Sequence, residues 1–169
     1  RARVREAMGR LVRAAGLADG LLHTQIIVSP RRDDFRIIEC MRRGPGDLYG
    51  QLIERATGLP YNDMYVAKFL GERYATPPRP ATSRFIGRHT ISVDRAIQGA
   101  GGFQTPIRAK DLAYIPLKNS GEPLGVAPYD KLGLVFLEYD TAEDMHKAVP
   151  RYAEDFKVMA WEQRSGAPM

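Results

Sequence analysis

Glu39 stands in the run Phe35-Arg36-Ile37-Ile38-Glu39-Cys40-Met41, where a carboxylate has mostly apolar neighbours. Such a group needs a metal ion or a basic partner. A second β-prone run, residues 21–29, carries His23 and Gln25, and a polar five-residue turn, 30–34, separates the two. This pattern predicts a hairpin. If its loop is symmetric about Arg32, residues whose numbers sum to 64 oppose one another, so Gln25 faces Glu39 and His23 faces Met41. Strand alternation then puts His23 and Ile37 on the Gln25–Glu39 face. Opposed Cβ atoms lie roughly 4.5–5.5 Å apart, close enough for two oxygen donors to share one cation. Mg²⁺ suits such a pair, because it takes one or two carboxylates and completes its shell with phosphates and water. A buried salt bridge from Glu39 to Arg42, Arg43 or another arginine explains the same residues equally well on spacing alone.

The next residues add an anion site. Arg42 and Arg43 follow the strand, and the Gly44-Pro45-Gly46 turn leads into a helix with Asp47 as its expected cap. Free backbone N–H groups and the dipole at a helix start favour anions, and arginine forks bind phosphate or carboxylate. The turn also reads as a plain strand-to-helix connection. His23 reads as a ligand or base, or as a packed strand histidine. Arg88-His89 lines a pocket or an exposed edge, Lys131 starts a strand, and Cys40, facing away from Glu39, is a small core residue. Trp161 and the tyrosines read as core or rim.

These groups need a scaffold. Residues 3–15 place Val4, Met8, Leu11, Val12 and Ala15 at helical spacing, and Gly16 stops the pattern. A helix with Leu48, Leu52, Ile53 and Ala56 on its apolar face runs to Gly58, and a short helix spans about 62–70. Residues 72–84 form a proline-rich linker or strap. Strands are expected at 85–93, 107–118, 132–139 and 156–161, with the glycines at 99, 101 and 102 in a loop. Asp140-Thr141-Ala142-Glu143 fits a capping box that opens a helix. The fold class is α+β: a mainly antiparallel sheet with packed helices over 1–71, the linker, and a small β-rich lobe over 85–169.

The 169 residues have the composition of an ordinary globular protein, 44% hydrophobic and 27% charged. One cysteine excludes an internal disulfide and fits a reducing compartment. No apolar run approaches the ~18 residues of a membrane span. The net charge of +5 gathers partly in Arg1, Arg3, Arg5, Arg10 and Arg13. That region carries no aromatic residue for base stacking, so a solvated helix face explains it better than nucleic acid does.

The string 20–71 resembles the C-terminal core of the ATP-grasp superfamily. Gly20-Leu21-Leu22-His23-Thr24-Gln25 looks like the strand that contributes the first metal ligand. Ile37-Ile38-Glu39-Cys40-Met41-Arg42-Arg43 looks like the second, with its Glu-x-Asn-x-Arg pattern. Arg42-Arg43-Gly44-Pro45-Gly46-Asp47-Leu48-Tyr49, then Thr57-Gly58 and Phe69-Leu70-Gly71, is similar to one branch of biosynthetic ligases.

The resemblance implies an ATP-dependent carboxylate–amine ligase with ATP and Mg²⁺, or Mn²⁺, as cofactors, and small carboxylate and amine substrates. It implies Glu39 and Gln25 as metal ligands, Glu39, Arg43 and Gly46 at the cofactor, and Arg42 and Arg43 in catalysis. Two positions depart from the pattern: the first ligand, usually acidic, is Gln25, and the usual Asn is Met41, a poor ligand for a hard cation. An N-terminal part of the same protein is expected to supply the phosphate-binding lysines, so the chain alone is expected not to turn over ATP. A cytoplasmic location is expected, with no membrane or nucleic-acid partner; assembly into a homo-oligomer is open. The competing readings are a catalytically degenerate relative used for binding or assembly, and a basic RNA- or membrane-surface module.

Overall fold

The computed structural model describes residues 2–29, 31, 34–74 and 84–161. The expected centre of the hairpin loop at Arg32, most of the proline-rich strap and the C-terminal tail lie outside them. The contacts divide the chain into two compact units, Arg1–Gln51 with Pro60–Pro78, and Leu52–Leu59 with Arg79–Met169.

The first unit opens with α1 (Ala2–Ala14), whose stripe of Val4, Met8, Leu11 and Val12 is half-buried. The antiparallel hairpin β1 (His23–Ser29) and β2 (Asp34–Met41) follows, forming a two-stranded sheet among the described residues. Next come α2 (Tyr49–Thr57), shared between the units, and α3 (Tyr61–Phe69). The helix α2 does not begin directly after Asp47. Asp47 and Leu48 both take left-handed backbone, φ 53° and 57°, and the helix starts only at Tyr49, whose N–H donates to the Gly46 carbonyl at 3.2 Å. An N-cap residue normally has extended backbone, and this double left-handed step leaves Leu48, not Asp47, next to the first helical residue.

The second unit holds β3 (Phe85–Ile91), β4 (Ala100–Gln104), β5 (Asp111–Pro116) and β6 (Gly133–Tyr139). Then come α4 (Ala142–Ala148), a 3₁₀ turn, α5 (Tyr152–Asp155) and β7 (Lys157–Ala160). The main sheet is antiparallel, ordered β3-β6-β5, and β4 pairs with β7 apart from it. β6 is central and buried on both faces, which explains its nearly unbroken apolar run rather than an alternating one. Val135, Leu137 and Tyr139 enter the core with Ile91, Leu124, Tyr152 and Phe156. On the other face Phe136 lies under the guanidinium of Arg55 from α2, 5.1 Å from the ring centre.

β4 is a strand where a glycine loop was expected. A side chain at Gly101 would come within 3.2 Å of the Trp161 ring, so glycine lets the two segments pair closely. Thr141 caps α4: its hydroxyl accepts from the Asp144 N–H at 3.1 Å and donates to the Asp144 carboxylate at 2.6 Å. The reciprocal pair is thus Thr141–Asp144, one residue beyond the box expected from Asp140.

A buried hydroxyl pair closes this core. Tyr139 and Tyr152 share a hydrogen bond of 2.8 Å at 5% and 3% exposure. Burial raises both phenols above their ordinary value; at Tyr152 the Tyr139 hydroxyl adds to the shift. Raised folded values mean that the pair's stabilisation is complete below about pH 10 and falls as pH rises beyond it. Tyr152→Phe leaves the Tyr139 hydroxyl unpaired and should cost about 1–3 kcal/mol, while Tyr139→Phe with Tyr152→Phe should cost less than the worse single change. Urea unfolding of the three variants checks this; a double variant equal to the sum of the singles would exclude the coupling.

Candidate functional site

The hairpin register places Gln25 directly opposite Glu39, and His23 opposite Met41. The symmetric reading holds only for this end. A bulge follows: Ile26 pairs with Ile37, leaving Ile38 without a cross-strand partner. The slip of one residue reverses the faces beyond it. Ile37 therefore lies with Ile26 on the opposite face from Glu39, and Arg36 with Ile27 takes the place expected for Ile37. Arg36 donates to the Asp34 carboxylate at 2.7 Å and to the Phe35 carbonyl at 3.3 Å.

Gln25 and Glu39 are exposed, and neither side chain has a hydrogen-bond or ionic partner among the described residues. The expected alternative, a buried salt bridge from Glu39 to Arg42, Arg43 or another arginine, is not formed among the described residues. Arg42 reaches instead to the Asp19 carbonyl at 3.3 Å, and Arg43 to the Gly44 carbonyl at 3.1 Å. The premise of burial fails with it, because Ile37 and Ile38 are 42% and 51% exposed. Cys40 is also exposed rather than core, its sulfur 3.5 Å from the hydroxyl of Thr24 opposite. His23 is half-buried, and its Nδ1 is enclosed without a hydrogen bond.

Glu39 and Gln25 thus offer one carboxylate and one amide oxygen side by side, uncommitted to protein. The described residues contain no cluster of three or more His, Cys, Asp or Glu that could hold a metal by themselves. Two oxygen donors fit Mg²⁺ when phosphates and water fill the remaining positions; they do not make a self-sufficient cage.

Arg42 is positioned by backbone as well as by its hydrogen bond. Gly20 has φ 145°, and a Cβ there would come within 2.7 Å of Arg42 Nη2. Glycine both permits this conformation and leaves room for the guanidinium. In the second unit His89 stacks on Phe156 at 5.1 Å between ring centres; burial first, then Arg88, lowers its basicity. It is half-buried against Tyr152 and Phe156 of that unit's core. Lys131 is half-buried two residues before the start of β6, with its N–H held by the Asp130 carboxylate at 2.9 Å.

No helix among the described residues is long and apolar enough to cross a membrane. No protein-family model matches the chain, and no curated protein matches it in sequence. Solved structures do. Phosphoribosylglycinamide synthetase from Anaerococcus prevotii superposes with a TM-score of 0.67 at 13% identity, over 89% of this chain and 39% of that one. L-amino acid ligase from Bacillus licheniformis superposes with a TM-score of 0.69 at 16% identity, over 95% of this chain and 41% of that one. Both are ATP-grasp ligases, and this chain spans about two fifths of the length of each. An α+β chain with antiparallel sheets, matched along most of its length by these two structures, has the fold of the C-terminal part of the ATP-grasp ligases.

Proposed function

We propose that the chain is the C-terminal part of an ATP-dependent carboxylate–amine ligase and carries its metal-binding hairpin. The observation that carries this reading is the opposed, uncommitted Gln25–Glu39 pair next to Arg42 and Arg43, on a fold shared with such ligases. The reaction has two steps. A substrate carboxylate oxygen attacks the γ-phosphorus of ATP, the bond to the β-phosphate oxygen breaks, and ADP leaves. An amine then attacks the acyl phosphate carbonyl, the C–O bond to phosphate breaks, and the amine gives up a proton as the amide forms.

Glu39 and Gln25 would hold the Mg²⁺ that accompanies the nucleotide, or Mn²⁺ in its place. The ion would screen the polyphosphate charge. Arg43, with Arg42 beside it, would neutralise charge on the transferring phosphoryl group and hold the acyl phosphate against loss to water. The backbone around Gly46 at the start of α2 favours the same anions. The first half of the nucleotide clasp would come from a preceding part of the same protein.

A second reading, a non-catalytic relative that still binds nucleotide, is favoured by the single carboxylate of the pair and by Met41 where the pattern has Asn. The test is ADP release by the complete protein with Mg²⁺, ATP and pools of carboxylates and amines. ADP that requires both a carboxylate and the metal supports the ligase. Saturable Mg²⁺–ATP binding without ADP from any pool supports the second reading, and absence of both excludes each.

A further inference from the structure

A cavity of about 320 Å³ opens in the first unit, at the end of the hairpin that carries Arg42 and Arg43. Tyr61, Met64, Tyr65 and Lys68 line it from one face of α3, at the i, i+3, i+4, i+7 spacing of a helical stripe. Leu21 and Tyr74 complete the apolar wall, and Asp19 with Gly20 forms the rim. The space equals that of about ten waters, within the range of small-molecule pockets. A stripe of two tyrosines, a methionine and a lysine is unusual for a helix whose job is to fill a core, and Phe69, after it, turns 71% of its surface to solvent.

The charges in this cavity are unequally committed. Lys68 Nζ lies 2.5 Å from the Asp19 carboxylate, but the Lys68 side chain is 30% exposed and that of Asp19 is 85% exposed. Lys68 therefore belongs to the pocket, and Asp19 covers it from the solvent side. An exposed ion pair of this kind is weak and exchanges readily. Arg42 adds a second cation at the rim through its bond to the Asp19 carbonyl. The charged residues of the lining are thus Lys68 and Asp19, with Arg42 beside them. The Asp19 carboxyl is held below its ordinary value, first by the hydrogen bond and charge of Lys68 and to a smaller degree by Arg42. Tyr65 also flanks the glycine turn, 4.0 Å from where a Gly44 side chain would begin.

We propose that this cavity binds a small monocarboxylate with an aromatic or bulky aliphatic body, which takes the place of Asp19 on Lys68 while the body packs on Tyr61, Met64 and Tyr65. A ligand carboxylate there replaces the exposed Asp19 as the partner of Lys68, and the tyrosine faces bury the rest. Naming this ligand as the acid that the ligase activates rests on the reading above; binding in the cavity does not.

The test is calorimetric titration of the full chain, without nucleotide, with 3-phenylpropanoate as probe. Saturable one-to-one binding is expected at concentrations on the order of millimolar. Acetate, which lacks the body, and 3-phenylpropan-1-ol, which lacks the charge, should each bind at least about tenfold more weakly. Lys68→Met should weaken the probe at least about tenfold. Asp19→Asn should strengthen it several-fold, because it removes the competitor at an exposed position without touching the walls. Circular dichroism verifies that each variant folds, and the Asp19→Asn arm stands even if Lys68→Met does not. No saturable binding, equal binding to Lys68→Met, or loss of binding in Asp19→Asn would overturn the proposal. Because ATP is absent, failure of carboxylate-dependent ADP release would count against the ligase reading alone.

Discussion

Glu39→Ala in the complete protein is expected to lower carboxylate-dependent ADP release about a thousandfold or more while leaving the fold intact. A metal ligand supplies several kcal/mol of charge stabilisation in the transition state, and about 4 kcal/mol corresponds to three decades of rate. The structural side of the expectation is as definite. Glu39 is exposed and its side chain has no protein partner among the described residues, so its loss should change stability by no more than about 0.5 kcal/mol. Rate and fold should therefore separate cleanly. Gln25→Glu is the converse change. It sets a second carboxylate directly opposite the first, which is unfavourable in the free protein and favourable around a cation. The Mg²⁺ concentration for half-maximal ADP release should fall several-fold. Full activity in Glu39→Ala, measured with coupled ADP detection, would remove the metal assignment; an unchanged Mg²⁺ requirement in Gln25→Glu would remove Gln25 from it.

The hairpin shows what a sequence makes legible and what it hides. A symmetric loop and strict alternation were enough to oppose Gln25 to Glu39 and His23 to Met41. They could not reveal the slip at Ile38, because a bulge depends on local backbone preferences that a binary pattern does not encode. Composition also misled about burial. Ile37 and Ile38 suggested a core and so a buried carboxylate, yet apolar residues become buried only when other elements cover them. Helices and long strands were readable because their periodicity spans many residues. β4 was not, since its glycines signal a loop until Trp161, some 60 positions on, gives them a reason to be small. The cavity beside α3 was missed for a similar cause. Its stripe of Tyr61, Met64, Tyr65 and Lys68 was visible at helical spacing, but Asp19, Leu21 and Tyr74 meet it only through tertiary structure.

The second unit makes the largest demand on packing, and β6 is where it should show. Leu137 is fully buried in the central strand, between Gly87 of β3 and Leu112 of β5. Leu137→Ala removes three carbons from a space that neighbouring strands hold rigidly. The expected cost is about 3–4 kcal/mol, the sum of lost transfer energy and a residual cavity. Leu112 sits directly across from it on the edge strand but is 39% exposed, so its truncation should cost less than half as much. The contrast isolates position in the sheet from residue type. A total stability of roughly 5–15 kcal/mol would leave the Leu137 variant folded but readily unfolded by urea. With two units in the chain, the loss should be read from hydrogen exchange at amides of β6 rather than from one global midpoint. Equal losses at the two leucines would mean that the sheet tolerates a gap at its centre as easily as at its edge, and would contradict a core organised around β6.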